Sequence, residues 1–320
     1  HTPEGTMQDK LVDLDNRRDL AYALQTESQQ QVLKLILDAV ERTGNKNVVV
    51  SGGYGLNCVA NYYYLDTLKD MDINLYVEPV SSDAGTAIGA AFIAYHQTTQ
   101  NKKVLPFGES LYLGLPQQYT NEQVTATADK YNATLQTTDM ESVVKLMCDK
   151  NIVAMFQGRS ESGPRALGNR SLMYDPTDPN GKDHVNKIKR REYFRPFAGT
   201  ILAEHAEEWF DMRGMKESPH MMYAMNCQPG ISEKIPSIIH VDGTCRIQTV
   251  TREQNPLYYD YINEFYKQTG VPIIFNTSFN LGGEPLVETL DDAFRTLANS
   301  DIEYLYIAEH GILAKVENVS

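Results

Sequence analysis

The stretch FNTSFNLGGEPLVE, residues 275–288, follows directly on the apolar run from Val271 to Phe275. A strand opening into Asn276, Ser278 and Asn280 sets uncharged donors and acceptors at its carboxyl end, where ligands sit in open α/β sheets. Turn formation alone also accounts for Asn and Ser at such positions. Upstream, Leu20, Leu24, Leu33, Ile36, Leu37 and Val40 recur at helical spacing and predict a helix over 18–43, with Gly44 as its stop. Strands are expected at 48–50 and 73–77, and Ser81-Ser82-Asp83 offers N-cap residues for a helix to about Tyr95. This alternation indicates an α/β fold.

The run His96 to Lys103 is polar and aperiodic, so it is the expected linker between two domains, 1–103 and 104–320. Beyond it the pattern predicts helices near 121–131, 140–149, 257–268 and 290–299. Strands are expected at 152–156, at 271–275 and as a pair around 303–315. The section 158–195, rich in Gly, Pro, Arg and Asn, reads as functional loops.

A chain of 320 residues has room for two domains, and 42% hydrophobic with 22% charged residues is ordinary for a globular protein. No apolar run approaches the roughly 18 residues of a membrane span, and no signal-like segment opens the chain. No membrane role is therefore expected. The four cysteines, Cys58, Cys148, Cys227 and Cys245, form no C-x-x-C pair and read as reduced thiols of a cytoplasmic protein. A net charge of −13 argues against a nucleic-acid polymer as partner. Residues 159–195 nevertheless carry nine Lys or Arg against five acids, a local +4. A basic pocket in an acidic protein suits a small anion, and a solvated charged surface is the competing reading.

Three further segments carry chemistry. In VVVSGGYGLNCVAN (48–61), Gly52 and Gly53 let backbone approach a ligand and Asn57 follows; a tight turn is the plainer reading. In PVSSDAGTAIGAAF (79–92), Asp83 either caps a helix or holds a metal. In FQGRSESGPRALGNRS (156–171) and VNKIKRREYFRPFAG (185–199), Arg159, Arg165, Arg170, Lys189, Arg191 and Arg195 sit among glycines and prolines. Arginine forks bind phosphate bidentately, and lysine adds a compact charge. A further arginine, Arg246, lies in HVDGTCRIQTV (240–250).

Taken in order from about Arg17 to about Leu313, these segments closely resemble the carbamoyltransferase family of nodulation-factor and antibiotic biosynthesis. The resemblance implies part of an actin-like (hexokinase-type) domain followed by a YrdC-like α/β domain. The YrdC-like domain would form carbamoyl-AMP from ATP (with Mg2+) and carbamoyl phosphate, releasing phosphate and pyrophosphate. The actin-like domain would pass the carbamoyl group to an acceptor hydroxyl. Lys189 with Arg191, and Ser278 with Asn280, match the K-x-R and S-x-N pairs of that fold and are the expected catalytic residues. Arg159, Arg165, Arg246 and Asn276 are the expected ATP and carbamoyl-phosphate contacts, and Gly52, Gly53 and Asn57 the carbamoyl-adenylate side. Lys187, Arg190 and Arg252 are expected to be surface charges.

One departure stands out. Asp83 matches the family's metal-binding aspartate, in a site for iron or another divalent metal, but the seven histidines form no H-x-x-x-H pair. Together with His1 as first residue, this gives three expectations. They are a fragment of a longer enzyme, one chain of a split enzyme whose partner supplies the first actin-like lobe, and a non-catalytic ATP- or carbamoyl-phosphate-binding subunit. Fragment and split enzyme alike predict an unusually apolar exposed face on the N-terminal part.

Overall fold

The computed structural model describes residues 14–101, 103 and 110–316. The chain divides into two compact units between Glu78 and Pro79.

The first unit contains helix α1 (Leu14–Thr43), strand β1 (Asn47–Val50), helix α2 (Cys58–Lys69) and strand β2 (Asn74–Val77). The strands pair in parallel with Val49 opposite Tyr76, and α2 supplies the crossover that a parallel pair requires. Leu33 and Ile36 of α1 bury against Ala60, Tyr64, Leu68 and Ile73. Asn57 caps α2 by accepting the Ala60 N–H at 3.1 Å, so the helix begins directly after the glycine turn. Side chains alternate across a strand. Val48, Val50 and Leu75 therefore face this core, while Val49 and Tyr76 remain 67% and 54% exposed on the other side. The helix and both strands expected from the sequence are present.

The second unit opens with α3 (Asp83–Thr99), α4 (Asn121–Lys130), β3 (Ala133–Thr137), α5 (Met140–Cys148) and β4 (Val153–Phe156). It continues with β5 (Arg170–Tyr174), α6 (Gly181–Ile188), β6 (Ala198–Leu202), α7 (Ala206–Trp209) and β7 (Ala224–Asn226). β8 (Thr244–Val250), α8 (Pro256–Thr269), β9 (Ile273–Ser278), α9 (Leu290–Ala298), β10 (Tyr304–Ile307) and β11 (Ile312–Val316) complete it. The polar run from His96, expected as a linker, is helical as far as Thr99, and α3 stops only where Gln100 turns left-handed. Ala84 and Ile88 of α3 pack on Val80, Leu111 and Leu167 of the second unit. The compact units thus divide ahead of that polar run.

Nine strands form one sheet in the order β3-β11-β10-β4-β5-β9-β6-β8-β7. Only β4–β10 and β6–β8 are parallel; the other neighbours run antiparallel, so the unit is a mixed α/β structure. Helices α5 and α8 cover one face, where Val144, Met147, Tyr261 and Phe265 bury with Met155, Met173 and Ile274 of the sheet. Both helices have start signals legible in sequence: Asp139 accepts from Ser142 N–H, and Asn255 precedes Pro256 and accepts from Tyr258 N–H.

Strand β5 and helix α6 correct the expectation that 158–195 is loop throughout. All five residues of β5 are buried between β4 and β9. Antiparallel pairing also brings chain ends together. Ser171 pairs with Ser278 and Ala198 with Asn276, so the amino ends of β5 and β6 lie beside the carboxyl end of β9. No described helix is long and apolar enough to cross a membrane, and all four cysteines are free thiols.

Two glycines test this packing from opposite sides. Gly168 has φ +114°, and an added Cβ would lie 2.2 Å from the ring of buried Tyr258. Gly168→Ala should cost about 2–5 kcal/mol, combining backbone strain with overpacking. Gly89, inside α3, has open space around it, so Gly89→Ala should stabilise by about 0.5–1 kcal/mol. Urea-unfolding midpoints check both.

Candidate functional site

The loop between β4 and β5 carries two of the arginines singled out in the sequence, Arg159 and Arg165, leads into a third, Arg170, and is held by buried polar groups. Glu161 accepts N–H bonds from Leu167, Asn169 and Arg170 on one carboxylate oxygen, at 2.7, 2.8 and 3.3 Å. The buried Arg170 guanidinium donates to the carbonyls of Gln157, Gly158, Asn169 and Glu288, and lies 3.7 Å from the Phe156 ring centre. Desolvation lowers its pKa, opposed by nearby Glu161 and Glu288. Arg170 is thus spent on the fold rather than offered to a ligand.

The sheet grips the same loop. Asn276 donates to the Ala166 carbonyl at 3.1 Å and to Thr200 Oγ1 at 3.0 Å. Gln248 donates to the Leu167 carbonyl, and Tyr258 donates to Thr200 Oγ1. Asn276, expected as a ligand contact, faces this loop from beneath. Sequence reading assigned no part to Glu161, Thr200, Gln248 or Tyr258. Their importance is one of position, and nothing in a single sequence marks it.

Lys189 follows α6 directly and is fully buried. Its ammonium donates to the Ser278 carbonyl, to Ser278 Oγ at 3.4 Å and to Asn280 Oδ1 at 3.2 Å. Ser278 Oγ in turn donates to Asn280 Oδ1 at 2.6 Å. Every partner of this ammonium is neutral. Burial, reinforced by the Arg191 charge, holds Lys189 well below the usual lysine range. Burial likewise lowers Arg191, aided by repulsion from Arg195 and Arg246. Neither Arg191 nor Arg246 donates a side-chain hydrogen bond to any described residue. Lys189 thus meets Ser278 and Asn280 at one sheet end, with Arg191 beside it and Arg246 near Arg191.

Gly282 shows how closely the two segments approach. An added Cβ would sit 2.8 Å from the Arg190 carbonyl oxygen and 3.0 Å from that of Lys189. The remaining expected residues are more dispersed. Arg159 is exposed, its guanidinium donating to the carbonyls of Gly114 and Leu113, and Arg165 is half-buried in the same loop. Lys187, Arg190 and Arg252 are exposed, and Arg252 pairs with Asp260.

In the first unit, Gly52 is exposed with φ +87° beside exposed Gly53, and Asn57 is taken up by its cap and Gln25. Asp83 is exposed in the first turn of α3. Among the described residues, no group of three His, Cys, Asp or Glu is placed to hold a metal ion. One carboxylate does not make a divalent-cation site, so these residues do not fit the expected metal.

Comparison with known proteins places this arrangement. A family model described as carbamoyltransferase C-terminus matches residues 144–314, and one described as carbamoyltransferase N-terminus matches 6–92. Nodulation protein NolO of Bradyrhizobium diazoefficiens is 35% identical, over 91% of this chain and 53% of that protein. An uncharacterized protein of Synechocystis sp. is 35% identical over 93% of this chain and 52% of its own length. Nodulation protein NolNO of Sinorhizobium fredii is 34% identical over 92% and 43%. The chain thus spans about half the length of the curated relatives it matches. Full-length HypF, in its phosphate- and nucleotide-bound form, matches with a TM-score of 0.39 at 18% identity, over 56% of this chain and 25% of that one. With both family models matched, the C-terminal one across more than half of the residues, the chain belongs to the carbamoyltransferase family.

Proposed function

We propose that the second unit forms carbamoyl-AMP, and that Lys189, Arg191 and Arg246 hold the phosphates of ATP while it does so. The observation that carries this reading is the Lys189 ammonium, buried among neutral acceptors with the Arg191 charge beside it. A desolvated charge without a counter-ion is costly, and an anionic ligand removes that cost. Water cleaves carbamoyl phosphate to carbamate and phosphate. A carbamate oxygen then attacks the α-phosphorus of magnesium-bound ATP, and pyrophosphate leaves. Charge grows on the phosphoryl oxygens as the bond to pyrophosphate breaks, and preplaced cations stabilise it without reorganising. Ser278 and Asn280 keep the ammonium at a fixed point, and Arg159 and Arg165 supply further phosphate contacts from the loop before β5.

On this reading residues 104–320 are the YrdC-like domain. Residues 1–103 are the remnant of an actin-like lobe whose remainder completes transfer to an acceptor hydroxyl. The exposed Val49–Tyr76 face of the β1–β2 ribbon supports that second part, because an apolar pair on one face suits packing against another lobe. Whether the rest comes from the same polypeptide or a partner chain, the reaction at Lys189 is the same. On this reading the substrates are small soluble molecules and the expected location is the cytoplasm.

Pyrophosphate release from ATP should depend on carbamoyl phosphate and should fall about 100- to 1,000-fold in Lys189→Met. Folding should survive that change, since methionine removes a buried charge flanked by arginines. Release that ignores carbamoyl phosphate, or persists undiminished in the variant, would sink the proposal. The pH profile gives a second test. As pH climbs through the lowered pKa of Lys189, the site loses a cation and release should decline. In Lys189→Arg this alkaline decline should move to higher pH, because a guanidinium keeps its proton.

A further inference from the structure

The loop joining α6 to β6 carries the run Glu192-Tyr193-Phe194-Arg195-Pro196-Phe197. Phe197 buries against Phe275, ring centres 4.6 Å apart. Tyr193 and Phe194 do the opposite. They are 62% and 63% exposed and pack edge-to-face on each other, ring centres 5.8 Å apart at 83°.

This exposure is built in. The buried Asn186 side chain donates to the Tyr193 carbonyl at 3.3 Å and the Arg195 carbonyl at 3.1 Å. The Asn186 backbone carbonyl accepts the Arg191 N–H at 2.9 Å, and Arg195 N–H donates to the Glu192 carbonyl at 3.1 Å. One asparagine thus holds the backbone on both sides of the aromatic pair. Single exposed apolar residues need no explanation, but a fixed pair of large rings between two arginines does.

We propose that Tyr193 and Phe194 are the stacking platform for the purine base of the nucleotide, which rests on the reading that Lys189 and Arg191 bind its phosphates. Arg191 and Tyr193 are two residues apart in sequence, which limits their Cα separation to about 7.6 Å. In a nucleotide the base and the α-phosphate are separated by one pentose, a comparable span. Aromatic faces accept any base through its π surface and need no hydrogen-bond code. The flanking Arg195 adds a guanidinium plane on which a ring also stacks. A platform beside a phosphate cluster gives the site a way to hold nucleotide in preference to inorganic phosphates.

The test is calorimetric titration of the full chain with ATP and, separately, inorganic triphosphate, which carries the charge but no base. The wild type should bind ATP more tightly than triphosphate, and the double variant Tyr193→Ser/Phe194→Ser should erase that advantage. The expected loss for ATP is about 5- to 150-fold, with triphosphate affinity retained. ATP affinity unchanged in the double variant would overturn the platform and leave the pair to an acceptor ring or another chain. An equal loss for both ligands would overturn it too, since the loop would then only position Arg191. A wild type that binds both ligands equally rejects the platform and keeps the phosphate site. One that binds neither rejects both.

Discussion

Four carbonyls converge on one buried guanidinium, and most of the candidate site depends on that convergence. Arg170 bonds Gln157 and Gly158 at the start of the basic loop, Asn169 at its end, and Glu288 at the close of the segment after β9. A single side chain therefore closes a long loop upon itself and fastens it to the neighbouring glycine-rich segment. Charge-assisted bonds are stronger than neutral ones, and here they act where water does not compete. Glu161 completes the clasp from the other side by accepting three backbone N–H groups. The loop is thus ordered by its own polar atoms.

That order carries electrostatic strain. Lys189, Arg191, Arg195 and Arg246 crowd one end of the sheet, and among the described residues only Arg195 of these four forms an ion pair, with Glu192. Nothing in folding favours such an arrangement, so the core beneath must hold it. The packing of α5 and α8 on the sheet, with Tyr258, Tyr261 and Phe265 fully buried, gives that sheet a close-packed face.

Much of this was legible in the chain itself. Helices with a cap and a periodic face, such as those at 140–148 and 256–269, appear where the pattern puts them. The pairs 189/191 and 278/280 came from family resemblance rather than spacing, and the fold brings Lys189 to Ser278 and Asn280. Strand β5 was not legible. A run of Arg-Ser-Leu-Met-Tyr has neither strand alternation nor a continuous apolar character, and its burial depends on carbonyls far away in sequence. The first residues of the polar run at 96–103 were not legible as helix for a related reason: polar residues with no apolar stripe still extend a helix when its earlier turns are anchored, as those of α3 are by Ala84 and Ile88. The sequence also suggested a ligand at the carboxyl ends of strands. The Lys189 cluster lies at such an end, that of β9, where the amino ends of β5 and β6 also come.

The pairing of β5 with β9 has a consequence for how the chemistry is encoded. Ser171 stands opposite Ser278, and along β9 the alternation points Asn276 and Ser278 to one face and Thr277 to the other. A slip of one residue between these strands would invert every side chain of β9 at once. Ser278 would turn away from Lys189, and Asn276 would release the loop it grips. The site is therefore stored as a phase, shared between two strands and lost whole rather than by degrees. Substitutions that loosen β5 can dissolve the cluster without touching Lys189, Ser278 or Asn280.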